Sequence, residues 1–302
     1  MLQCRHFFVL TGVFHVKQSD AVVVPLATDI GLAIRRQAPV HETTSACQHI
    51  AVERSATFGR LYRLDGDAMA AEADEFMLHE SLVHLPALSH PGPASALILG
   101  GGDGASAREL LKHPSVMRIL VAELDPDVVR VVSDKIPTLP AGAFDNPRVV
   151  LRLGDAADTL RMAQQAGERF DLILFDLTEA DDPACAHLHG DDFLRLCAAS
   201  LTPRGMIHVQ LGSPFYQPHK SAALHQRLRA VFPSVRTSLI SVPLYGGPWL
   251  LACASLLEPR DDSAASLDTR LAERRITGLR YYNPVLHHAS QVLPNYIREL
   301  LA

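Results

Sequence analysis

Four carboxylates in this sequence follow apolar runs that read as strands: Asp103 in "LILGGGDGASARELLKHP" (97–114), Glu123 in "RILVAELD", Asp155 in "RVVLRLGDA" and Asp176 in "FDLILFDLTE". Binding clefts in parallel sheets open at the carboxyl ends of the strands, so acids at those ends are placed for chemistry. Asp103 is the most informative of the four. Three glycines leading into a helix make a turn whose free N–H groups attract anions. Gly100-Gly101-Gly102-Asp103-Gly104-Ala105 can be fitted to the dinucleotide pattern G-x-G-x-x-A, with Glu123 as the ribose acid about twenty residues on. Asp103 argues against that fit. A pyrophosphate ~4 Å from its carboxylate meets a repulsion on the order of 1 kcal/mol in water, and several times more in a partly dry cleft. The ligand of this turn is therefore expected to be neutral or cationic.

An adenosyl sulfonium meets that requirement. In S-adenosylmethionine-dependent enzymes the glycine turn approaches the amino-acid end of the cofactor, and an acid after the second strand holds the ribose. Glu123 is placed to accept from both ribose hydroxyls, and Asp155, after the third strand, from the adenine amine. Intact S-adenosylmethionine carries a carboxylate that Asp103 would repel. Its decarboxylated form ends in an ammonium that Asp103 would attract, so decarboxylated S-adenosylmethionine is the expected co-substrate. A methyltransferase using the intact cofactor and a noncatalytic polyamine- or nucleoside-binding protein stay open as alternatives, with a dehydrogenase last.

Periodicity indicates the elements that must position these groups. Residues 1–85 read as β-rich: "AVVVPLATDIGLAIRRQ" alternates weakly, and "CQHIAVERSATFGRLYRLDGDAM" holds two extended runs closed by the turn Asp65-Gly66. "EADEFMLHESLVHLPAL" changes to a helical period and runs to the breaker "SHPGP" at 89–93. Strand, turn and helix then repeat. Strands are expected at Ala96–Leu99, Arg118–Glu123, 148–155, 170–176 and 205–211, with helices at Ser106–Lys112 and Pro126–Ile136. Such alternation predicts an α/β fold with a mostly parallel sheet covered on both faces. "EPRDDSAAS" (258–266) reads as a surface loop, and "LRYYNPVLHHASQVLPNYIRELL" as a packed C-terminal segment with His287-His288 at a surface or interface.

Composition narrows the partners. The 302 residues are 48% apolar with a net charge of −5, enough to bury a large core and without the basic footprint of a nucleic-acid binder. Five scattered cysteines without a C-x-x-C pair suggest a reduced, cytoplasmic protein. The N-terminal "MLQCRHFFVLTGVFHV" lacks a small-residue cleavage site and is too short to span a membrane; it reads as a buried strand rather than a signal peptide. No nucleic-acid or membrane partner is expected.

Taken in order, "GRLYRLDG", "EADEFMLHESLVH", "GGGDGASARELLKHPSV", "AELD", "LGDA", "DLTEADDPA", "VQLGSPF", "PLY" and "LRYYNPVLHHASQVLP" resemble the polyamine aminopropyltransferases, the spermidine synthase family. The resemblance implies a Rossmann-like, methyltransferase-type catalytic domain (86–302) behind a small N-terminal β-hairpin domain (1–85), assembled as a homodimer. It implies aminopropyl transfer from decarboxylated S-adenosylmethionine to a primary amine such as putrescine, with methylthioadenosine released. Carried over by motif, Gln48, Glu123, Asp155, Ala156 and Pro183 would hold the thioadenosine and Asp103 the donor's amine. His79, Glu179 and Tyr245 would line the amine channel, and Asp176 would accept the proton.

The departures fall on the acceptor side. The family's second acid is Glu179, one methylene longer; a tyrosine expected before His79 is Leu78; a glutamine expected near position 69 is Met69; and a carboxylate is replaced by Gly212. Cys47 stands where an aromatic precedes Gln48, and Ala156 where a glycine follows Asp155. Aminopropyl transfer stays the expected chemistry, with three outcomes open on the acceptor side: putrescine, a different amine, or lower or no activity. Simpler readings compete: Asp65 and Asp155 as turn formers, Asp176 as a helix cap, His79 as an ordinary helix-face histidine and Tyr245 as a core aromatic. Cys185, His187 and His189 with Asp191 and Asp192 match no closed zinc pattern, and no metal is expected.

Overall fold

A computed structural model describes residues 21–177, 185–258 and 263–302. The apolar N-terminal run, Glu179 and Pro183 lie outside the described residues. The chain enters as a hairpin of β1 (Ala21–Ala27) and β2 (Ile30–Arg35). A four-stranded antiparallel sheet follows, β3 (Ala38–Thr44), β4 (His49–Ser55), β5 (Gly59–Leu64) and β6 (Asp67–Ala71), paired in chain order. Asp65 takes a left-handed φ of 49° in the expected Asp65-Gly66 turn, and its carboxylate accepts from the His49 amide at 2.8 Å. Asp65 is a turn former.

After helix α1 (Glu75–Ser89) comes the alternation read from the sequence: β7 (Ser95–Gly100), α2 (Ala105–Leu111), β8 (Arg118–Glu123), α3 (Pro126–Lys135), β9 (Val149–Leu153), α4 (Ala156–Gln165), β10 (Phe170–Asp176), α5 (Asp191–Ser200), β11 (Leu201–Gly212) and α6 (Pro218–Val231). The seven-stranded sheet has the order β12-β13-β11-β10-β7-β8-β9, where β12 (Ser234–Val242) and β13 (Gly247–Ser255) form an antiparallel extension absent from the sequence reading. Every pairing from β11 across to β9 is parallel. The chain leaves β7 toward β8 and β9, then returns to β10 on the opposite side of β7. A cleft opens where strand order reverses in this way.

Alternate residues of one strand serve two cores. Leu97 and Leu99 face Leu160, Leu194 and Leu228 of α4, α5 and α6, while Ala96 and Ile98 face Val83 and Leu110 of α1 and α2. Helix α3 turns Val128, Val131 and Val132 onto Ile50, Val52 and Tyr62, fastening the small sheet beside the large one. Helix α1 is buried on nearly every side, with Leu78, Leu85 and Leu88 packed against β12 and β13. Polar residues on such a helix need partners inside the protein.

The C-terminal segment supplies some of those partners. It comprises α7 (Ala264–Glu273), α8 (Pro284–Ala289) and α9 (Asn295–Leu300). The expected loop over 258–266 ends earlier than read: the Ser263 side chain caps α7 by accepting from the Ser266 amide. His287 is not a surface group. It is 5% exposed and bonded through Nδ1 to the Tyr282 hydroxyl at 2.7 Å, because α8 turns it inward. Among the described residues no helix is long and apolar enough to cross a membrane.

Glu80, buried on α1, accepts the backbone amides of Arg280, Tyr281 and Tyr282, each at 2.8 Å. Hydrogen bonds to a charged acceptor contribute about 1.5–3 kcal/mol each, and amides left without one cost more than the bond alone. Glu80→Ala should lower the unfolding free energy by roughly 3 kcal/mol or more, and Glu80→Gln, which retains one acceptor oxygen, by less. Urea midpoints of the two variants against the parent measure the difference.

Candidate active site

The cleft at the reversal point is built on a close approach of two backbones. Gly100 and Gly101 both take φ of 74°, which favours glycine, and the Gly101 amide donates to the Asp176 carbonyl at 3.0 Å. A Cβ on Gly100 would lie 2.3 Å from that same carbonyl oxygen. The turn after β7 and the end of β10 are thereby joined, which brings Asp103 and Asp176 to one wall.

Asp103 is 4% exposed. Its Oδ1 accepts from the Ala105 amide at 2.9 Å, at the start of α2, and its Oδ2 accepts from the Tyr62 hydroxyl at 3.2 Å. Tyr62 was not singled out from the sequence; its place in the alternation of "GRLYRLDG", facing the α3 side of β5, was the available signal. Burial pushes the Tyr62 hydroxyl well up, and Asp103 adds to the effect. Tyr62 thus stays a neutral donor to the acid.

His79 is buried and lines the cleft from α1. Its Nδ1 lies 2.9 Å from the Glu75 carbonyl and 2.8 Å from Glu75 Oε2, while its Nε2 stands 3.7 Å from Asp103 Oδ2 and 3.9 Å from Asp176 Oδ1. Glu75 is held in turn by Arg108 at 2.9 and 3.0 Å. Burial and the neighbouring Asp103 raise the Asp176 carboxyl, opposed by His79.

The end of the cleft beyond the glycine turn is lined by Glu123, Asp155, Ala156 and Gln48. Glu123 accepts the Gly102 and Asp125 amides at 2.9 Å each. Burial still pushes its carboxyl up to about 7. Asp155 divides its oxygens: Oδ1 caps α4 by accepting from Ala157 and Asp158, and Oδ2 faces His187 Nε2 at 2.8 Å. The turn-former reading of Asp155 is thus correct for one oxygen only. Gln48 is tethered through Nε2 to Asp125 Oδ2 at 3.0 Å, an oxygen it shares with the Ser45 hydroxyl.

A second, more apolar pocket continues from the first, the two sharing Met69, Leu177, Gln210 and Tyr245 in their walls. Tyr245 donates its hydroxyl to the Met69 carbonyl and packs its ring 4.7 Å from Trp249. Trp249 in turn donates to Gln210 at 3.1 Å. Gly212 sits in this pocket with φ of 88°, and a Cβ there would meet Gln217 Oε1 at 3.1 Å. Sequence reasoning passed over Trp249 and Gln210, because an aromatic and an amide inside apolar strands look like packing.

Of the cysteine–histidine stretch, His187 turns to Asp155 while His189 is buried against Phe175. Its residues do not converge on one point.

The joint between the turn and β10 makes a testable contrast. Gly100→Ala forces an alanine into the left-handed region and onto the Asp176 carbonyl, and should cost roughly 2–4 kcal/mol of stability. Gly102 lies outside that region, and the nearest atoms its added Cβ would meet belong to the Glu123 side chain, with Oε2 at 2.7 Å. Gly102→Ala should cost about 1 kcal/mol while displacing the carboxylate. Thermal melts and denaturant curves of the two variants distinguish them.

Comparison with known proteins agrees with this geometry. The family model described as spermine/spermidine synthase domain matches residues 75–256. A polyamine aminopropyltransferase of Nitrosomonas europaea is 39% identical over 284 residues, 94% of this chain and 86% of that protein. One from Thermoanaerobacter sp. (strain X514) is 34% identical over 84% of this chain and 88% of its own length. A spermidine synthase crystallised with the transition-state analogue AdoDATO superposes with a TM-score of 0.86 at 30% identity, covering 94% of this chain and 96% of that one. The spermidine synthase of Thermotoga maritima gives 0.84 at 31% identity, with coverages of 94% and 95%. The fold is thus that of the solved spermidine synthases, and the chain belongs to the spermine/spermidine synthase family.

Proposed function

We propose that the protein transfers the aminopropyl group of decarboxylated S-adenosylmethionine to a primary amine, releasing methylthioadenosine. The observation that carries this reading is Asp103, buried at a glycine turn where a nucleotide-binding protein would seat a phosphate, and turned toward the cleft beside Asp176. In this reading Glu123 takes the ribose hydroxyls, Asp155 and Ala156 the adenine, and Gln48 the nucleoside edge. Asp103 takes the donor's ammonium, and His79 and Tyr245 border the acceptor. Glu179 and Pro183 are assigned by the resemblance alone.

The acceptor's nitrogen attacks the methylene carbon bound to the sulfonium. The N–C bond forms, the C–S bond breaks, and its electron pair leaves with sulfur as a neutral thioether. No acid is needed for that leaving group. The obstacle is the acceptor's own proton, since an alkyl ammonium of pKa about 10 has no lone pair to use. Asp176, in the wall shared with the glycine turn, orients the amine and takes the proton. The apolar pocket bounded by Trp249 and Tyr245 holds the acceptor's carbon chain, and the two joined cavities align nitrogen, carbon and sulfur. The acceptor is putrescine or a related polyamine, with glycine at 212 removing a carboxylate that would otherwise help to position it. A homodimer, a cytoplasmic location and the division into 1–85 and 86–302 belong to the same proposal, with α1 joining the two parts.

Methylthioadenosine release, followed by mass spectrometry with decarboxylated and intact S-adenosylmethionine offered separately with putrescine, cadaverine, agmatine, spermidine or no amine, tests the reading. Release only with the decarboxylated donor and an amine is expected; binding of the intact cofactor alone would favour methyl transfer. Asp176→Asn should lower kcat on the order of 10²–10⁴-fold, and turnover that survives the change removes Asp176 as the base.

Glu123 provides a pH test. Its carboxyl, raised to about 7 by burial, is protonated below that pH and then accepts fewer hydrogen bonds. Affinity for methylthioadenosine should weaken as pH falls through 7, by at most about tenfold per unit. In Glu123→Gln the affinity should be lower and flat over the same range, as read by titration calorimetry.

A further inference from the structure

His79 is enclosed by charge from several elements. Its own helix brings Glu75 and the neighbouring Asp74, the glycine turn brings Asp103, and the end of β10 brings Asp176. Tyr62 reaches in from β5 onto Asp103, and Arg108 of α2 stands behind Glu75. Glu75 is kept ionised: burial would raise its carboxyl, but His79 and Arg108 outweigh that and hold it below its ordinary value. Nδ1 of His79 therefore faces two acceptors, the Glu75 carbonyl and carboxylate, and must bear a proton. Nε2 points between two further carboxylates. A bare lone pair there would face oxygen on both sides.

We propose that the empty site holds His79 as an imidazolium between Asp103 and Asp176, with Glu75 and Arg108 acting as its positioning residues, and that the cationic end of the donor expels one proton from this ring on binding. The inference rests on the function proposed above. Burial disfavours the charged ring, but Asp103, the Glu75 hydrogen bond and Asp176 more than offset it and carry the group to about 10. The donor's ammonium and sulfonium take over the neutralisation of Asp103 and Asp176 and repel the ring cation. The Glu75 hydrogen bond stays on Nδ1, but the burial penalty and the two like charges now outweigh it, and the Nε2 proton leaves.

The neutral ring presents a lone pair on Nε2, 3.9 Å from Asp176 Oδ1. When the acceptor ammonium gives its proton to Asp176, that proton can pass on to Nε2. The amine then displaces the thioether, and the product carries the positive charge on its new secondary nitrogen. The cycle balances: one proton goes to solvent when the donor binds, and one returns to His79 from the acceptor.

Calorimetric titration near pH 8, where Glu123 is ionised, tests this in buffers of low and high ionisation enthalpy. Decarboxylated S-adenosylmethionine is compared with methylthioadenosine, which shares the nucleoside but has neither cation. The donor should release about one proton more than methylthioadenosine, and His79→Asn should remove the excess. Glu75→Gln should reduce it and move the acid limb of the kcat profile, a change that loss of packing alone would not produce. Equal proton release with the two ligands on the unmodified protein overturns the inference and leaves aminopropyl transfer standing. Failure of the donor to bind at all overturns both.

Discussion

The hydrogen bond from the Gly101 amide to the Asp176 carbonyl fixes the distance between two strand ends, and the chemistry of the cleft follows from it. Without side chains on the first two glycines, β7 and β10 can deliver their acids to one wall. Once there, Asp103 and Asp176 form a concentration of negative charge with little access to water. Such charge is costly unless it is paired. The protein pairs it with His79 from α1 and a hydroxyl from β5 while leaving room between them for a cationic ligand.

That pairing shapes α1 and what surrounds it. A helix buried on nearly all sides carries Glu75, His79, Glu80 and His84, each with an internal partner. The trail leads from His79 through Glu75 to Arg108, on to Glu109 at 3.0 Å, from Glu109 to His84 Nε2 at 2.9 Å, and from His84 Nδ1 to His113 at 2.9 Å. Against the burial that would raise it, His84 and Lys112 bring the Glu109 carboxyl down to about 2, while burial and neighbouring positive charge press His113 down to about 2. Acids stay charged and the terminal histidine stays neutral. The polar groups on the hidden helix are thus satisfied from one end to the other.

Much of this was legible in the sequence because strand-end acids announce themselves. The alternation of β7 through β11 and the placing of Asp103, Glu123, Asp155 and Asp176 follow from apolar runs that stop at a carboxylate. The antiparallel pair β12 and β13 was missed although Gly246-Gly247-Pro248 marks a turn between two apolar runs, and α7 because its cap lies within a polar run. Tyr62, Glu75 and Arg108 were invisible as a set: they act on Asp103 and His79 from separate elements, and nothing local marks them. His287 shows the converse, a histidine pair whose polarity suggested a surface until α8 turned one member inward.

The division of labour at Asp155 has a consequence for how a nucleoside would enter. One oxygen is committed to the first turn of α4, so its carboxylate cannot swing aside, and the other is already engaged by His187. An adenine amine aimed at that oxygen meets an occupied seat. Recognition there becomes an exchange of one donor for another: the net gain is the difference between two hydrogen bonds, and the displaced imidazole must find water or the incoming base. In the proposed reading the donor's affinity would then rest more on the ribose and the cationic tail than on the adenine end.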